Sequence, residues 1–131
     1  MIVDWLENEK KQEKVFLWGR SMGAVTALHY ISISPNPIIK ACILDSPFAD
    51  LRNIVNSLVG SSPIPKFLIS AMFSMIGLQV KQFTGLDIDK FKPGEFCKEG
   101  KTKVLILHGR QDELVGVENS EIIYENYGGE K

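Results

Sequence analysis

The sequence predicts an α/β protein built around a short parallel β-sheet. Apolar runs with strand character alternate along the chain with segments of helical periodicity, which is typical of right-handed crossovers between parallel strands. The strand candidates are short and apolar throughout, the pattern of parallel strands that are buried on both faces. A third observation is the stretch Val15–Ala24, in which an apolar strand leads through a Gly-x-Ser-x-Gly turn into a helix.

The first part of the chain supplies two helices and two strands. In the first helix acidic residues lie toward the start and lysines near the end, an arrangement that the helix dipole favours. In the second helix Ala24, Leu28 and Ile31 recur on one apolar face. The predicted elements are Ile2–Gln12 (helix), Val15–Trp18 (strand), Met22–Ile33 (helix) and Ile38–Leu44 (strand).

The middle of the chain, from about residue 46 to 96, is predicted to be a helical insertion that serves as a lid. It contains four prolines and no convincing strand. Helices are expected over Leu51–Val59 and Pro65–Phe83, with a turn near Ile88–Phe91, and Asp50 is the expected cap of the first helix. The most apolar run, Phe67–Val80, is shorter than the roughly 20 residues that a membrane span needs.

The last part of the chain completes a single domain over residues 1–131. Lys103–Leu107 is predicted as a third buried strand that runs into His108 and Gly109. Glu118–Tyr127 is the expected closing helix, with Gly128 at its C-cap.

The composition fits a globular protein and gives no sign of nucleic-acid binding. The net charge is −1, with 44% hydrophobic and 24% charged residues. Cys42 falls in a predicted buried strand and Cys97 in a predicted polar loop; they lack metal-ligand spacing and do not make a disulfide framework. We expect no targeting signal at the N-terminus, because the charged run Glu7–Lys14 follows a mildly apolar start. We therefore expect a cytoplasmic protein with no metal, no cofactor and no membrane span.

The Gly-x-Ser-x-Gly turn predicts a nucleophilic serine at position 21. A serine on so tight a strand-to-helix turn, a nucleophile elbow, has strained backbone angles and an exposed hydroxyl. Gly19 and Gly23 are expected to relieve the crowding, because glycine has no Cβ. The helix that follows directs free N–H groups toward a developing oxyanion. An inert serine on a glycine-bracketed turn is the structural alternative.

Three segments carry a resemblance to a known family: Leu17–Ala24, Ile43–Leu51 and Leu107–Val115. Together they closely resemble landmarks of α/β-hydrolases, in the branch of serine aminopeptidase-like, acyl-thioesterase-like and Bem46-like hydrolases. The resemblance implies that Ser21 is the nucleophile, that the backbone N–H of Met22 is an oxyanion donor, and that Asp112 is the triad acid, which orients a histidine. Asp45 is the alternative acid, although capping of the turn before Pro47 also explains it.

Measured against that resemblance, the predicted fold is a truncated α/β-hydrolase core of about three parallel strands flanked by helices. The early strands, the loop with the second oxyanion donor and a histidine after the acid are missing from it. Of the two histidines in the sequence, His29 lies eight residues into a helix, roughly 12 Å from Ser21. His108 ends a strand about 9.6 Å, or two strand spacings, from the strand of Ser21. We expect His29 to be a packing or surface residue and His108 to shape the loop of the acid.

The predicted function is that of a serine hydrolase acting on an ester, thioester or amide bond of a small acyl substrate. The alternative is a catalytically impaired remnant, a pseudoenzyme or a fragment of a longer hydrolase, because no histidine follows Asp112. The unpaired edge of the strand Val15–Trp18 also predicts a homo-oligomer, since an exposed apolar edge invites pairing with another chain.

Overall fold

The computed structural model describes residues 2–54, 66–85 and 87–131 and confirms the predicted order of elements. The main elements are α1 (Ile2–Asn8), β1 (Val15–Arg20), α2 (Met22–Ile33), β2 (Ile39–Asp45), α3 (Lys66–Thr84), α4 (Pro93–Phe96), β3 (Lys103–Leu107) and α5 (Glu118–Asn126). Two short 3₁₀ helices lie at Ile88–Lys90 and Cys97–Glu99.

The three strands form one parallel sheet in the order β1-β2-β3. The register places Arg20 opposite Asp45, and Asp45 opposite Leu107. All three strands therefore end at the same level, and the residues that follow them share one edge of the sheet. This agrees with a truncated α/β-hydrolase core.

One face of the sheet carries the main hydrophobic core. Helices α2 and α5 both pack on this face, as expected for crossovers that run from strand to strand. The three residues predicted as the apolar face of α2 are all buried. Other members of this core are Cys42 and Leu44 of β2, Val104 of β3, and Ile123 and Tyr127 at the end of the chain.

The opposite face of the sheet is exposed, and the prediction of strands buried on both faces is wrong. Phe16 and Trp18 of β1 are 68% and 74% exposed, and Leu105 and Leu107 of β3 are 54% and 44% exposed. The reason is that the described helices in contact with the sheet, α2 and α5, lie on its other side.

The first helix is shorter than predicted, because it ends at Asn8 rather than Gln12. The chain turns at Lys11, whose φ of 53° lies in the left-handed region. The amide of Gln12 donates back to the carbonyl of Leu6 over 2.9 Å and closes this turn.

Helix α3 occupies the predicted position within the insertion. Residues 51–54 are also helical, and Asp50 caps them by accepting hydrogen bonds from the amides of Arg52 (2.8 Å) and Asn53 (3.2 Å). The rest of the predicted helix Leu51–Val59 lies outside the described residues. Among the described elements, the main neighbour of α3 is the 3₁₀ helix Ile88–Lys90. None of the described helices has both the length and the apolar character needed to cross a membrane.

Cys97 is buried, whereas the sequence predicted a polar loop. The segment from α4 to Gly100 packs against α2 and α5, so that the Cys97 thiol lies 3.4 Å from the carbonyl oxygen of Gly94. Burial raises the pKa of the Cys97 thiol, and it raises that of Cys42 in β2 to about 11. Both cysteines are free.

The prediction that Gly128 is the C-cap of α5 is wrong. The C-cap is Tyr127 in an extended conformation, and Gly128 has no positive φ. A Cβ on Gly128 would lie 2.1 Å from the carbonyl oxygen of Lys98. The position therefore requires glycine because another backbone passes close to it.

Candidate functional site

The carboxyl ends of the three strands meet at one edge of the sheet, where the candidate site lies. The amide of Ser21, directly after β1, donates to the carbonyl of Asp45 in β2 over 2.8 Å. The amide of Ser46, directly after β2, donates in the same way to the carbonyl of Leu107 in β3 over 2.8 Å. These bonds fix the start of each loop relative to the neighbouring strand.

Ser21 forms the turn between β1 and α2 with φ of 49° and ψ of −116°. Residues other than glycine rarely adopt a positive φ, and strain of this kind is concentrated at functional sites. The side chain of Ser21 makes no capping hydrogen bond to α2, although serine is a common helix cap. Its hydroxyl is therefore not used to stabilise the helix.

The crowding expected around Gly19 is present. A Cβ at this position would lie 2.2 Å from the carbonyl oxygen of Gly23 and 2.6 Å from the amide nitrogen of Ala24. The steric role predicted for Gly23 itself is wrong, because a Cβ there would meet nothing within 4 Å. The turn is thus tight on the strand side only, where Gly19 faces the backbone of the first turn of α2.

Met22 is the first residue of α2 and follows Ser21 directly. An N–H in the first turn of a helix has no acceptor within the helix, and it lies at the positive end of the helix dipole. The backbone N–H of Met22 is therefore suited to bind negative charge that develops beside Ser21.

Asp112 is held by its own loop after β3. Its Oδ1 accepts hydrogen bonds from the amides of Val115 (2.9 Å) and Leu114 (3.0 Å), while Oδ2 lies 3.7 Å from Nε2 of His108. The hydrogen bond from Val115 is the main cause that lowers the pKa of Asp112; the bond from Leu114 and the charges of His108 and Arg20 act in the same direction. The carboxyl group is therefore ionised at neutral pH.

His108 connects the loop of Asp112 to helix α5. Its Nδ1 lies 2.5 Å from Oγ of Ser120, and its Nε2 lies 2.7 Å from the carbonyl oxygen of Val115. Because a carbonyl only accepts, Nε2 carries a proton, and in the neutral ring Nδ1 then accepts from the Ser120 hydroxyl. One ring nitrogen contacts the loop and the other contacts helix α5, in agreement with the expected role of His108 in shaping the loop.

His29 lies away from the carboxyl edge of the sheet, within an aromatic cluster. Its ring packs edge to face with Phe96 at a centroid distance of 4.9 Å and with Phe91 at 6.0 Å. It is a packing residue, as the sequence suggested. The structure therefore brings neither histidine of the chain into position to take a proton from Ser21.

Two residues at this edge were missed as candidates from the sequence. Arg20 lies beside Asp45, with 3.9 Å between its Nε and Oδ2, and its positive charge also lowers the pKa of Asp112. Ser46 has a φ of 50°, the second strained serine after a strand, and its hydroxyl donates to Oδ1 of Asp45 over 3.1 Å. The contact with Ser46 agrees with a structural role for Asp45. A cation next to Ser21 in the sequence was the signal that could have indicated Arg20.

A shallow cleft of about 440 Å³ lies between β3 and α5. His108, Ser120, Glu121 and Tyr124 contribute to its lining, but Ser21 and Asp112 do not. Within the described parts of the chain, no group of three or more histidine, cysteine or acidic residues has the arrangement of a metal site.

The chain matches the family described as "Serine aminopeptidase, S33". The match covers residues 1–91 and so includes Ser21 but not Asp112. No curated protein matches the chain significantly.

Solved structures with the same fold include esterases and a lipase. An esterase of Pyrococcus furiosus is 25% identical with a TM-score of 0.66, over 98% of this chain and 47% of the esterase. A monoacylglycerol lipase of Paleococcus ferrophilus is 19% identical with a TM-score of 0.64, over 96% of this chain and 58% of the lipase. Acetyl xylan esterase 1 of a Thermoanaerobacterium species is 16% identical with a TM-score of 0.66, over 99% of this chain and 41% of that enzyme.

This chain therefore spans about half the length of the structures that it matches. Its three-stranded parallel sheet and the family match over residues 1–91 lead to the same assignment. The chain belongs to the serine aminopeptidase (S33) family of α/β-hydrolases.

Proposed function

We propose that this chain carries the nucleophile and the acid of a serine hydrolase that cleaves an ester, thioester or amide bond of a small acyl substrate. The observation that carries the proposal is the strained conformation of Ser21 at the carboxyl edge of the sheet, with a hydroxyl that does not cap α2. The names of the related structures, two esterases and a lipase, favour an ester among these bonds.

In the proposed reaction Oγ of Ser21 attacks the carbonyl carbon of the substrate and gives up its proton to a base. The leaving alcohol, thiol or amine departs with that proton, and water then hydrolyses the acyl-serine to release the acid. The backbone N–H of Met22 would stabilise the oxyanion, because it lies beside Ser21 at the positive end of α2.

The proposed role of Asp112 is to hold and stabilise a histidine that acts as this base. The amides of Leu114 and Val115 donate to Oδ1 of Asp112, and these two bonds anchor the carboxylate. Neither amide donates to Oδ2, the other carboxylate oxygen. His108 is near Oδ2, but its Nε2 proton is directed at the carbonyl of Val115. We therefore do not assign the role of this base to His108 or to His29.

A second candidate function is that of a non-catalytic member of the family that keeps the turn because the fold needs it. The observation in its favour is the engagement of both histidines in other contacts. A matched experiment on the purified chain separates the two functions.

The experiment is chemical rescue of p-nitrophenyl acetate and butyrate hydrolysis by added imidazole. Without imidazole we expect turnover below about 1 s⁻¹, because catalysis without one triad member is only roughly 10³–10⁴ above water. With imidazole the rate of the wild-type chain should rise, and Ser21→Ala should reduce that rate to the background of imidazole and buffer. Ser46→Ala is the control, since Ser46 also follows a strand with positive φ. Equal imidazole-dependent rates in the wild type and Ser21→Ala would favour the non-catalytic function.

Two finer aspects belong to the same proposal. The apolar character of α3 supports a role as a lid over an acyl chain, and the free, buried Cys42 and Cys97 support the expected cytoplasmic location.

A further inference from the structure

The exposed face of the sheet is an apolar surface of substantial size. Phe16 and Trp18 point to this face from β1, Ala41 and Ile43 lie beside them in β2, and Leu105 and Leu107 follow in β3. With about 200 Å² for each aromatic residue and about 150 Å² for each leucine, the four most exposed side chains present roughly 400 Å². A patch of this size equals the largest apolar patch of a typical monomer, which is often functional.

Helix α3 presents a second apolar surface in the same chain. Phe73, Gly77 and Val80 lie on one side of the helix and are half-buried, so this side faces the rest of the protein. Beside this side, further round the helix, runs an apolar stripe at helical spacing that is exposed throughout. The stripe consists of Leu68, Met72, Met75, Ile76 and Phe83.

The two surfaces are complementary in type and in size. Parallel sheets are covered by helices on both faces, and here the described helices on the sheet cover only one. A helix of 19 residues is about 28 Å long, which exceeds the roughly 23 Å length of the longest strand. The α3 stripe can therefore cover the full height of the exposed face.

We propose that two copies of this chain form a symmetric dimer in which the α3 stripe of each copy packs on the exposed sheet face of the other. The exchange is mutual, so a two-fold axis closes the assembly. With both surfaces of both copies buried, the interface would amount to roughly 1,500–2,000 Å², the size of a standard stable interface.

The sequence predicted a different association, in which the β1 edges of two copies pair. That association would bury less of the exposed apolar surface. Two antiparallel β1 strands related by an axis perpendicular to the sheet would extend it, but Phe16 and Trp18 of both copies would stay exposed on the same side. Packing of α3 on the sheet face removes these side chains from water, and this is the dominant favourable contribution to association.

The test measures the molar mass of the full chain by light scattering over a range of concentrations, together with Trp18 fluorescence. In Trp5→Phe, Trp18 is the only indole. We expect a mass twice the 14.7 kDa of the chain at high concentration, with a shift of the Trp18 emission to shorter wavelength as the dimer forms. A monomer at every concentration overturns the proposal.

Charge variants then identify the two surfaces. Trp18→Glu on the sheet face and Met75→Glu on the α3 stripe should each weaken dimerisation at least tenfold. Ile33→Glu is the matched control, because Ile33 is an exposed apolar residue on neither surface. All three side chains are exposed, and far-UV circular dichroism verifies that the variants fold.

Mixing the two variants distinguishes this dimer from other arrangements. A heterodimer of Trp18→Glu with Met75→Glu keeps one intact contact between an unchanged helix and an unchanged face, so the mixture should associate more tightly than either variant alone. Edge pairing or the stacking of two sheet faces would leave Met75→Glu as dimeric as the wild type, and that result would overturn the proposal.

Discussion

At the scale of single residues, the turn at Ser21 depends on one close approach of backbone to backbone. The strand brings Gly19 against the carbonyl of Gly23, and the chain passes between them through a serine with positive φ. The glycine on the strand side is therefore a condition for the turn, whereas the glycine on the helix side is not.

The first prediction compares alanine at these two glycines. Gly19→Ala should lower the free energy of unfolding by about 3 kcal/mol, because its Cβ meets backbone that is part of a helix and cannot move away. Gly23→Ala should be neutral or stabilising by about 0.5–1 kcal/mol, since alanine is favoured over glycine in helices. Urea unfolding of both variants measures the difference. Equal losses would mean that the crowding at Gly19 is not a constraint on the fold.

The second prediction concerns the contribution of Asp112 to the free energy of unfolding at acidic pH. Its pKa in the folded state is lowered, mainly by the hydrogen bond from Val115, below the value near 3.9 in the unfolded chain. The unfolded chain therefore binds more protons in this range, so stability rises with pH there. The contribution of Asp112 is fully present above about pH 4 and is lost as the pH falls through the folded pKa.

Asp112→Asn is the matched variant, because its amide oxygen can accept the same two backbone hydrogen bonds. Above about pH 4 the wild type should have a higher urea midpoint than Asp112→Asn. The difference between the two midpoints should decrease toward pH 2. Curves that stay parallel over this range would contradict an ionised, anchored Asp112.

At the scale of elements, the caps and the amphipathic faces explain where helices begin and what they bury. Helix α2 begins immediately after Ser21, and one side of it fills the core above β1 and β2. Helix α3 also carries many apolar residues, but a stripe of them is exposed, so the presence of apolar residues alone did not decide which helix is buried.

The third prediction concerns the helical segment that starts at residue 51. Asp50→Ala should lower the free energy of unfolding by about 1 kcal/mol, because the amides of Arg52 and Asn53 lose their capping acceptor. Asp50→Asn keeps an acceptor oxygen and should lose far less. Hydrogen exchange at these two amides gives a local readout, and unchanged protection in Asp50→Ala would contradict the capping role.

At the scale of the whole molecule, the behaviour of the protein depends on a sheet of which the described helices cover one face. The buried face holds a continuous core from α2 to α5, while the exposed face carries aromatic and aliphatic side chains of β1 and β3. The chain spans about half the length of the structures it matches, so the α/β-hydrolase activity of those proteins is a proposal for this chain.

Much of the fold could be predicted from the sequence, because it depends on local periodicity and on the order of elements. The bounds of α2 and β3 agree with prediction to the residue, and the cap at Asp50 is confirmed. The three motif segments predicted the family, which the match over residues 1–91 confirms. The nucleophile Ser21 and the acid Asp112 stay predictions that rest on these motifs.

What tertiary structure decided is the environment of each residue, since this depends on elements far apart in the sequence. Cys97 is buried because α2 and α5 close over its segment, and Gly128 is required because the backbone of Lys98 passes beside it. The exposure of Trp18 follows in the same way, because the helices of residues 2–54, 66–85 and 87–131 that contact the sheet pack on its other side. A pattern of apolar residues determines which segments form strands, but only the packing of distant helices determines which strand faces they cover.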